Sequence, residues 1–245
     1  MLLYIEYKFL NSICACVYMC HYRGDSMKRV KISNNVIRRL PKYLRKLDEL
    51  MASGVERISS GELGRQMSLT PSQIRQDFSC FGEVGQQGYG YNVAALREEI
   101  SKIMGMNRDY TCVLVGVGNI GHSLIHHFSF SNYGFKLIGA FDIKSDLIGT
   151  VEAGVPIFDM TELRTRLEKL HPDCAVLTIP SFYANDVAPV LIDCGVRAIW
   201  NFTNVELDIP VDKTVIENIY FSDSLLSLSY YLSEHNDELE AKAAK

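Results

Sequence analysis

TCVLVGVGNIGHSLIHHF, residues 111–128, is the stretch from which the fold can be read. Thr111–Val115 is an unbroken apolar run, as a strand buried on both faces of a parallel sheet requires. Gly116, Gly118 and Gly121 follow in G-x-G-x-x-G spacing, and Ser123–Phe128 continues as a helix. That spacing alone is a weak signal. A strand before it and a helix after it make it a phosphate-binding turn. Gly116 makes the turn, Gly118 lets a pyrophosphate approach the backbone, and Gly121 lets helix pack on strand. The pyrophosphate is expected at the helix N-terminus, with Val117, Asn119 and Ile120 completing the cofactor-binding loop.

An acid stands at the distance such a turn needs. Asp142 ends the strand Lys136–Phe141, 21 residues past Gly121, and is expected to bond the adenosine ribose with Ile143 beside it. A carboxylate there repels a 2′-phosphate, which favours NAD(H) over NADP(H); Lys144 softens the preference without reversing it. Strands at Val155–Phe158, Cys174–Ile179 and Ala198–Asn201 alternate with helices at Met160–Leu170 and Ala184–Cys194. This is the pattern of a doubly wound parallel sheet, whose ligands bind at the carboxyl ends of the strands. Thr178, Ile179 and Pro180, with Ser181 and Asn201–Thr203, occupy such ends and are expected to line the nicotinamide half. A last helix, about Ser224 to Glu240, carries Leu225, Leu228, Leu232 and Leu239 as a narrow stripe. The stripe must pack on its own domain or on a second subunit.

The N-terminal part is built differently. Asn34–Arg39 and Pro41–Ala52 read as helices separated at Pro41, with Val36, Ile37, Leu40, Tyr43, Leu44, Leu47, Leu50 and Met51 as the apolar stripe. Arg38, Arg39, Lys42, Arg45 and Lys46 take the other faces, and Gly54 closes the second helix. Ser59 with Glu62, and Thr70 with Gln73, then open two short helices, Pro71 taking the first position of the second. Two short helices around a tight turn make a helix-turn-helix, about residues 41–80. On the second, Ile74 and Phe78 face the core and Ser72, Gln73, Arg75, Gln76 and Ser79 point outward, as the base-reading face of a recognition helix does. FGEVGQQGYGY, residues 81–91, suits a β-hairpin wing with Gln86–Gln87 at its tip and Tyr89 beside it. Tyr91–Ile103 reads as a linking helix.

Charge divides along the same line. The whole chain of 245 residues carries −4, but residues 27–80 carry +6 and residues 81–245 carry −10. One module is therefore suited to phosphate and the other is not. Cys80, Cys112, Cys174 and Cys194 lie in or beside apolar runs and read as reduced core residues, consistent with a cytoplasmic protein. Residues 1–26 are apolar and cysteine-rich, too short in their uncharged run for a membrane span, and poor as a signal peptide. Cys14, Cys16, Cys20 and His21 do not follow a zinc-finger spacing, so no metal ligand is assigned. The segment is expected to be an extension outside the native fold, with Met27 as the natural start. The expected domains are thus 27–92, 93–221 and a C-terminal helix and tail at 222–245.

The chain resembles the redox-sensing transcriptional repressor family known as Rex from about Val30 to Leu232. The most specific stretches are RLPKYLR (39–45), SQIRQDFSCFG (72–82), GYGYNV (88–93), VGVGNIG (115–121), AFDI (140–143), LTIPS (177–181) and WNFTNVELDIP (200–210). The resemblance implies an α/β protein with an N-terminal winged helix-turn-helix and a doubly wound Rossmann domain. It further implies a homodimer whose C-terminal helix is domain-swapped, bound to palindromic double-stranded operator DNA when NAD⁺ dominates and released by NADH. It places Phe221 against the partner's nicotinamide site, Arg75 at the DNA surface and Arg45 near the junction of the modules. Several positions depart from the family pattern. Gln76 and Gln87 stand where bases are usual, Cys80 and His127 where tyrosines are usual, and Tyr220 where an acid is usual. The first two weaken electrostatic affinity for DNA.

A rival reading is an NAD-dependent dehydrogenase. It lacks an evident acid–base group among Thr178, Ser181, Asn201 and Thr203, and it lacks a substrate domain; no catalytic residue is assigned. His126 and His127 read as residues on a helix surface. A third reading is an NADH-binding paralogue with weakened DNA binding, motivated by Gln76 and Gln87.

Overall fold

The computed structural model describes residues 32–81, 85–86, 89–210 and 214–243. Residues 1–26 and Gln87 lie outside that set. The chain forms two compact units that divide between Met104 and Gly105.

In the first unit a short helix α1 (Asn34–Ile37) leads into α2 (Leu40–Ala52), with Pro41 in its first turn. Leu40, Tyr43, Leu44, Leu47 and Leu50 are buried at helical spacing. Ile37 and Met51 were expected in the same stripe but lie outward, at 48% and 44% exposure. The helix ends when the N–H of Gly54 donates to Met51 and that of Val55 to Leu50, which satisfies the last carbonyls. Strand β1 (Arg57–Ile58) follows, then α3 (Ser60–Met67) and α4 (Pro71–Ser79). The two caps form as expected: Ser59 Oγ accepts from the Glu62 N–H and Thr70 Oγ1 from the Gln73 N–H, each at 3.1 Å.

Strands β2 (Gly85–Gln86) and β3 (Gly90–Asn92) complete an antiparallel sheet of order β1-β3-β2. This is the wing. Tyr91, which the sequence offers to both the hairpin and the linking helix, is a strand residue. It pairs with Ile58 and Gly85, and its ring meets Phe78 edge-on at 5.0 Å. Helix α5 (Val93–Ile103) then starts from an Asn92 cap. Its Val93, Leu96 and Ile100 are wholly buried, and it packs on α2. The sequence reading began the second domain at 93. The helix instead belongs to the first unit, because its apolar face is spent there.

The second unit holds β4 (Tyr110–Val115), α6 (Asn119–His127), β5 (Phe135–Asp142), β6 (Val151–Glu152), β7 (Val155–Asp159), α7 (Leu163–Leu170), β8 (Cys174–Leu177), α8 (Ala184–Asp193), β9 (Ala198–Asn201) and β10 (Val215–Asn218). The sheet order is β10-β9-β8-β4-β5-β7-β6, with every pairing parallel except β6 to β7. Leaving out the edge hairpin strand β6, the order of successive strands is 3-2-1-4-5-6, the doubly wound arrangement, which reverses between β4 and β8. Alternate β4 residues serve opposite cores: Val113 and Val115 pack with α7 and α8, Cys112 and Leu114 with Ile125 and Phe130. The four described cysteines are free. Cys112 and Cys174 are buried neighbours on β4 and β8, and their hydrogen bond together with burial pushes the Cys112 thiol pKa far up. Cys80 and Cys194, read as core residues, are only half-buried.

The chain ends in α9 (Phe221–Ala243), longer at both ends than the stripe predicted. Every described side chain on it is exposed, Leu225, Leu226, Leu228, Tyr231 and Leu232 by 57–68%.

Candidate functional site

The glycine turn sits where the sheet order reverses, the position at which such sheets bind ligands. Gly116 leaves β4 at φ +97°, and its N–H donates to Phe141. The Thr178 hydroxyl donates to Gly116 O at 2.7 Å and to Val115 O at 3.1 Å, so it braces the turn from the end of β8. Gly118 is the N-cap of α6. The N–H groups of Asn119, Ile120 and Gly121 have no acceptor within the helix and form an anion-binding terminus.

Asp142 closes the other side. Its Oδ2 accepts the Val117 N–H at 2.6 Å, and its Oδ1 accepts from Ile143 and Lys144 at 2.8 and 2.9 Å. The carboxylate thus ties the end of β5 to the glycine turn. It is only 7% exposed, whereas Ile143 is 76% exposed and Ile120 38%. Ile179 is half-buried and Pro180 exposed. Hydrogen bonds from Thr178 to Gly116 O and from the Val117 N–H to Asp142 bring the ends of β8 and β5 against the glycine turn.

Asn201 and Thr203, expected at the nicotinamide half, are buried and bonded to one another. Asn201 Oδ1 accepts from the Thr203 N–H and hydroxyl, and its amide donates to Val205 O and Asn218 Oδ1. The pair is buried and braces β9 against β10, whose alternating edge pattern had too little apolar signal to be read. Phe221 is 62% exposed at the start of α9, its ring 6.4 Å from that of Phe202.

In the first unit, α4 presents Ser72, Arg75 and Gln76 to solvent. Arg75 is held lightly by a 3.1 Å bond to Ser60 Oγ. Lys42 and Arg45 are exposed on α2, bordering a shallow depression with Gln66 and Met67, and Tyr89 is 71% exposed. Gln73 departs from expectation. It is half-buried, and its amide donates to Asp77 Oδ1 at 2.9 Å.

Asp77 was missed in the sequence reading. It lies on the inner face of α4 beside Ile74 and Phe78 and is wholly buried. Arg39 donates to both its oxygens at 2.7 Å and Tyr43 OH donates at 2.7 Å. Burial opposes its ionisation, but the donations from Arg39, Tyr43 and Gln73 outweigh that and hold its pKa below the ordinary range. Burial, with Asp77 as acceptor, raises the pKa of Tyr43. The readable signal was an acid one position from Phe78 on an apolar face, with a spare arginine upstream.

A winged helix-turn-helix joined to a nucleotide-binding sheet defines the class of nucleotide-responsive DNA-binding regulators. The family model "Putative DNA-binding protein N-terminus" matches residues 31–79, and "CoA binding domain" matches residues 107–205. The redox-sensing transcriptional repressor Rex of Clostridium beijerinckii is 49% identical over 207 residues, covering 84% of this chain and 98% of that protein. The Rex of Clostridium tetani is 42% identical over 210 residues, covering 86% and 99%. Among solved structures, RSP in complex with β-NAD⁺ and operator DNA matches with a TM-score of 0.78 and 41% identity, covering 86% of this chain and 97% of that one. RSP with β-NADH matches at 0.78 and 38% identity, covering 86% and 98%. The chain belongs to the Rex family of redox-sensing transcriptional repressors. The second family model is named for coenzyme A, whereas the solved relatives hold NAD⁺ and NADH. Among the described residues, no helix is long and apolar enough to cross a membrane.

Proposed function

We propose that this protein is a homodimeric, cytoplasmic repressor, not an enzyme, that binds palindromic operator DNA with NAD⁺ or without ligand and releases it on binding NADH. The observation that carries the reading is the pairing of a phosphate turn and Asp142 with a winged helix in one chain, matched over 97% of a relative solved with NAD⁺ and operator DNA. The pyrophosphate rests on the α6 terminus beside Gly118, Asp142 meets the adenosine ribose, and Thr178, Ile179 and Pro180 flank the nicotinamide half. Arg75, Gln76 and Ser72 face the major groove, and Lys42, Arg45 and Tyr89 face the phosphates or the minor groove. NADH acts by binding one dimer arrangement better than the other, and that difference in affinity is the signal. In a mobility-shift titration, operator binding falls as NADH rises at constant total dinucleotide; unchanged binding across the range defeats the proposal.

The exposed leucines of α9 support the dimer, since none of the other described residues covers them. A helix of 23 residues with this stripe buries it against a second copy, exchanged between subunits. Replacing Leu225, Leu228 and Leu232 together with glutamate is expected to give a monomer in light scattering. Far-UV circular dichroism should change little, and operator affinity should drop with the loss of the second half-site.

Asp142→Ala removes a charged acceptor from the Val117 N–H and from the ribose. NADH affinity is expected to fall by roughly tenfold or more, about 1.5–3 kcal/mol for a hydrogen bond to a charged group. NADPH should lose less, so the ratio of the two dissociation constants, read by NAD(P)H fluorescence, should narrow.

A further inference from the structure

Helix α6 carries two imidazoles that take no part in the hydrogen bonds of the glycine turn or of Asp142. His122 and His126 stand one turn apart on its outer face, and Glu152 on the edge strand β6 comes up beside them. His126 Nε2 lies 3.1 Å and His122 Nε2 3.7 Å from the same oxygen, Glu152 Oε2. One ligating atom from each residue falls within 4.8 Å of the other two, and the imidazole centroids are 4.3 Å apart.

An ordinary surface ion pair needs one imidazole and contributes at most about 1 kcal/mol. Here two nitrogens converge on one carboxylate oxygen from an i, i+4 helical pair and a separate strand. Zinc–ligand bonds of about 2.1 Å in tetrahedral geometry set ligand–ligand edges of about 3.4 Å. The 3.1 and 3.7 Å separations bracket that value. Two imidazoles and one carboxylate suit Zn²⁺, whereas an all-oxygen set would suit Mg²⁺ or Ca²⁺. Glu152 is held in place by its hairpin: Ala153 and Gly154 at φ +47° and +84° form the two-residue turn that antiparallel strands favour. Its side chain is 19% exposed, against 54% for His122, so the open side of the triad faces water.

We propose that His122, His126 and Glu152 form a binding site for one Zn²⁺ per chain, with the fourth position left to solvent. The ion would pin the edge hairpin of the sheet to the helix that carries the glycine turn. The proposal stands apart from the regulatory reading and does not depend on it.

The test is Co²⁺ titration of the metal-stripped full chain, with Zn²⁺ competition. The visible bands of four-coordinate Co²⁺ should saturate at one equivalent and be erased by Zn²⁺. His126→Ala and Glu152→Gln should each weaken binding at least tenfold, with circular dichroism and NADH fluorescence as checks that both variants fold. Cys14, Cys16, Cys20 and His21 are competing ligands. Cys14→Ser/Cys16→Ser/Cys20→Ser must therefore keep the bands, which should lack the near-ultraviolet charge transfer of thiolate ligands. Bands that survive both ligand variants, bands that vanish in the triple serine variant, or no binding below about 10 μM would each overturn the site.

Discussion

Asp77→Ala is expected to destabilise the N-terminal unit by about 3 kcal/mol and to lower its Tm by more than about 10 °C in calorimetry. The side chain is wholly buried and accepts from three residues, Arg39, Tyr43 and Gln73. Its loss leaves the Tyr43 hydroxyl buried without an acceptor and the Arg39 guanidinium without its partner. Removing one member of a buried pair costs about 3–5 kcal/mol, and the lower end applies because Arg39 is 25% exposed and can turn to water. The effect reaches function because Asp77 anchors the inner face of the helix whose outer face carries Arg75 and Gln76. Operator binding should therefore weaken together with stability, whereas NADH binding to the second unit should not. The pH dependence has a definite sign. A carboxylate whose folded pKa is depressed adds stability above its unfolded value, near 3.9, and that stability is lost as pH falls through the folded pKa. The gap between wild type and variant should accordingly shrink below about pH 4. A gap that stays constant through that range would assign the loss to packing alone.

What could be read from the chain alone followed the strength of local signals. The unbroken apolar run Thr111–Val115, the glycine spacing and Asp142 each belong to one short segment, and together they specified the turn, the acid and the parallel class of the sheet. The caps at Ser59 and Thr70 were legible because a capping residue and its N3 partner are three residues apart. Tyr91 could be read into either the hairpin or the helix because a two- or three-residue strand has no periodicity to display; its place is fixed by pairing with Ile58, 33 positions away. Asp77 and Glu152 share that character. Each has its meaning only through partners 38 or 26 residues distant, Arg39 and His126, that the fold brings together. Asn201 shows the converse case, a side chain taken up by internal hydrogen bonds. Its position at a strand end was read correctly, but the end is closed by β10, which leaves little mark on the sequence.

Gly121 and Gly118 should separate cleanly when each is replaced by alanine. A Cβ at Gly121 would stand 2.1 Å from Gly116 O and 3.0 Å from Leu114 Cδ2, against backbone and sheet that cannot retreat. The helix must move off the strand, at a cost at or above the upper end of the roughly 1–3 kcal/mol seen for overpacking. Gly121→Ala should therefore lower the stability of the second unit and abolish measurable NADH fluorescence enhancement. A Cβ at Gly118 meets nothing within 4 Å, and the residue's φ of −77° suits alanine. Gly118→Ala should fold with a loss of about 1 kcal/mol, since alanine is a poorer N-cap than glycine. Its methyl would nonetheless occupy the space through which a pyrophosphate approaches the α6 terminus. NADH affinity should fall tenfold or more while the melting temperature drops by only a few degrees. Stable Gly118→Ala protein with full NADH affinity would move the pyrophosphate away from this turn, and with it the whole placement of the dinucleotide between Gly116 and Asp142.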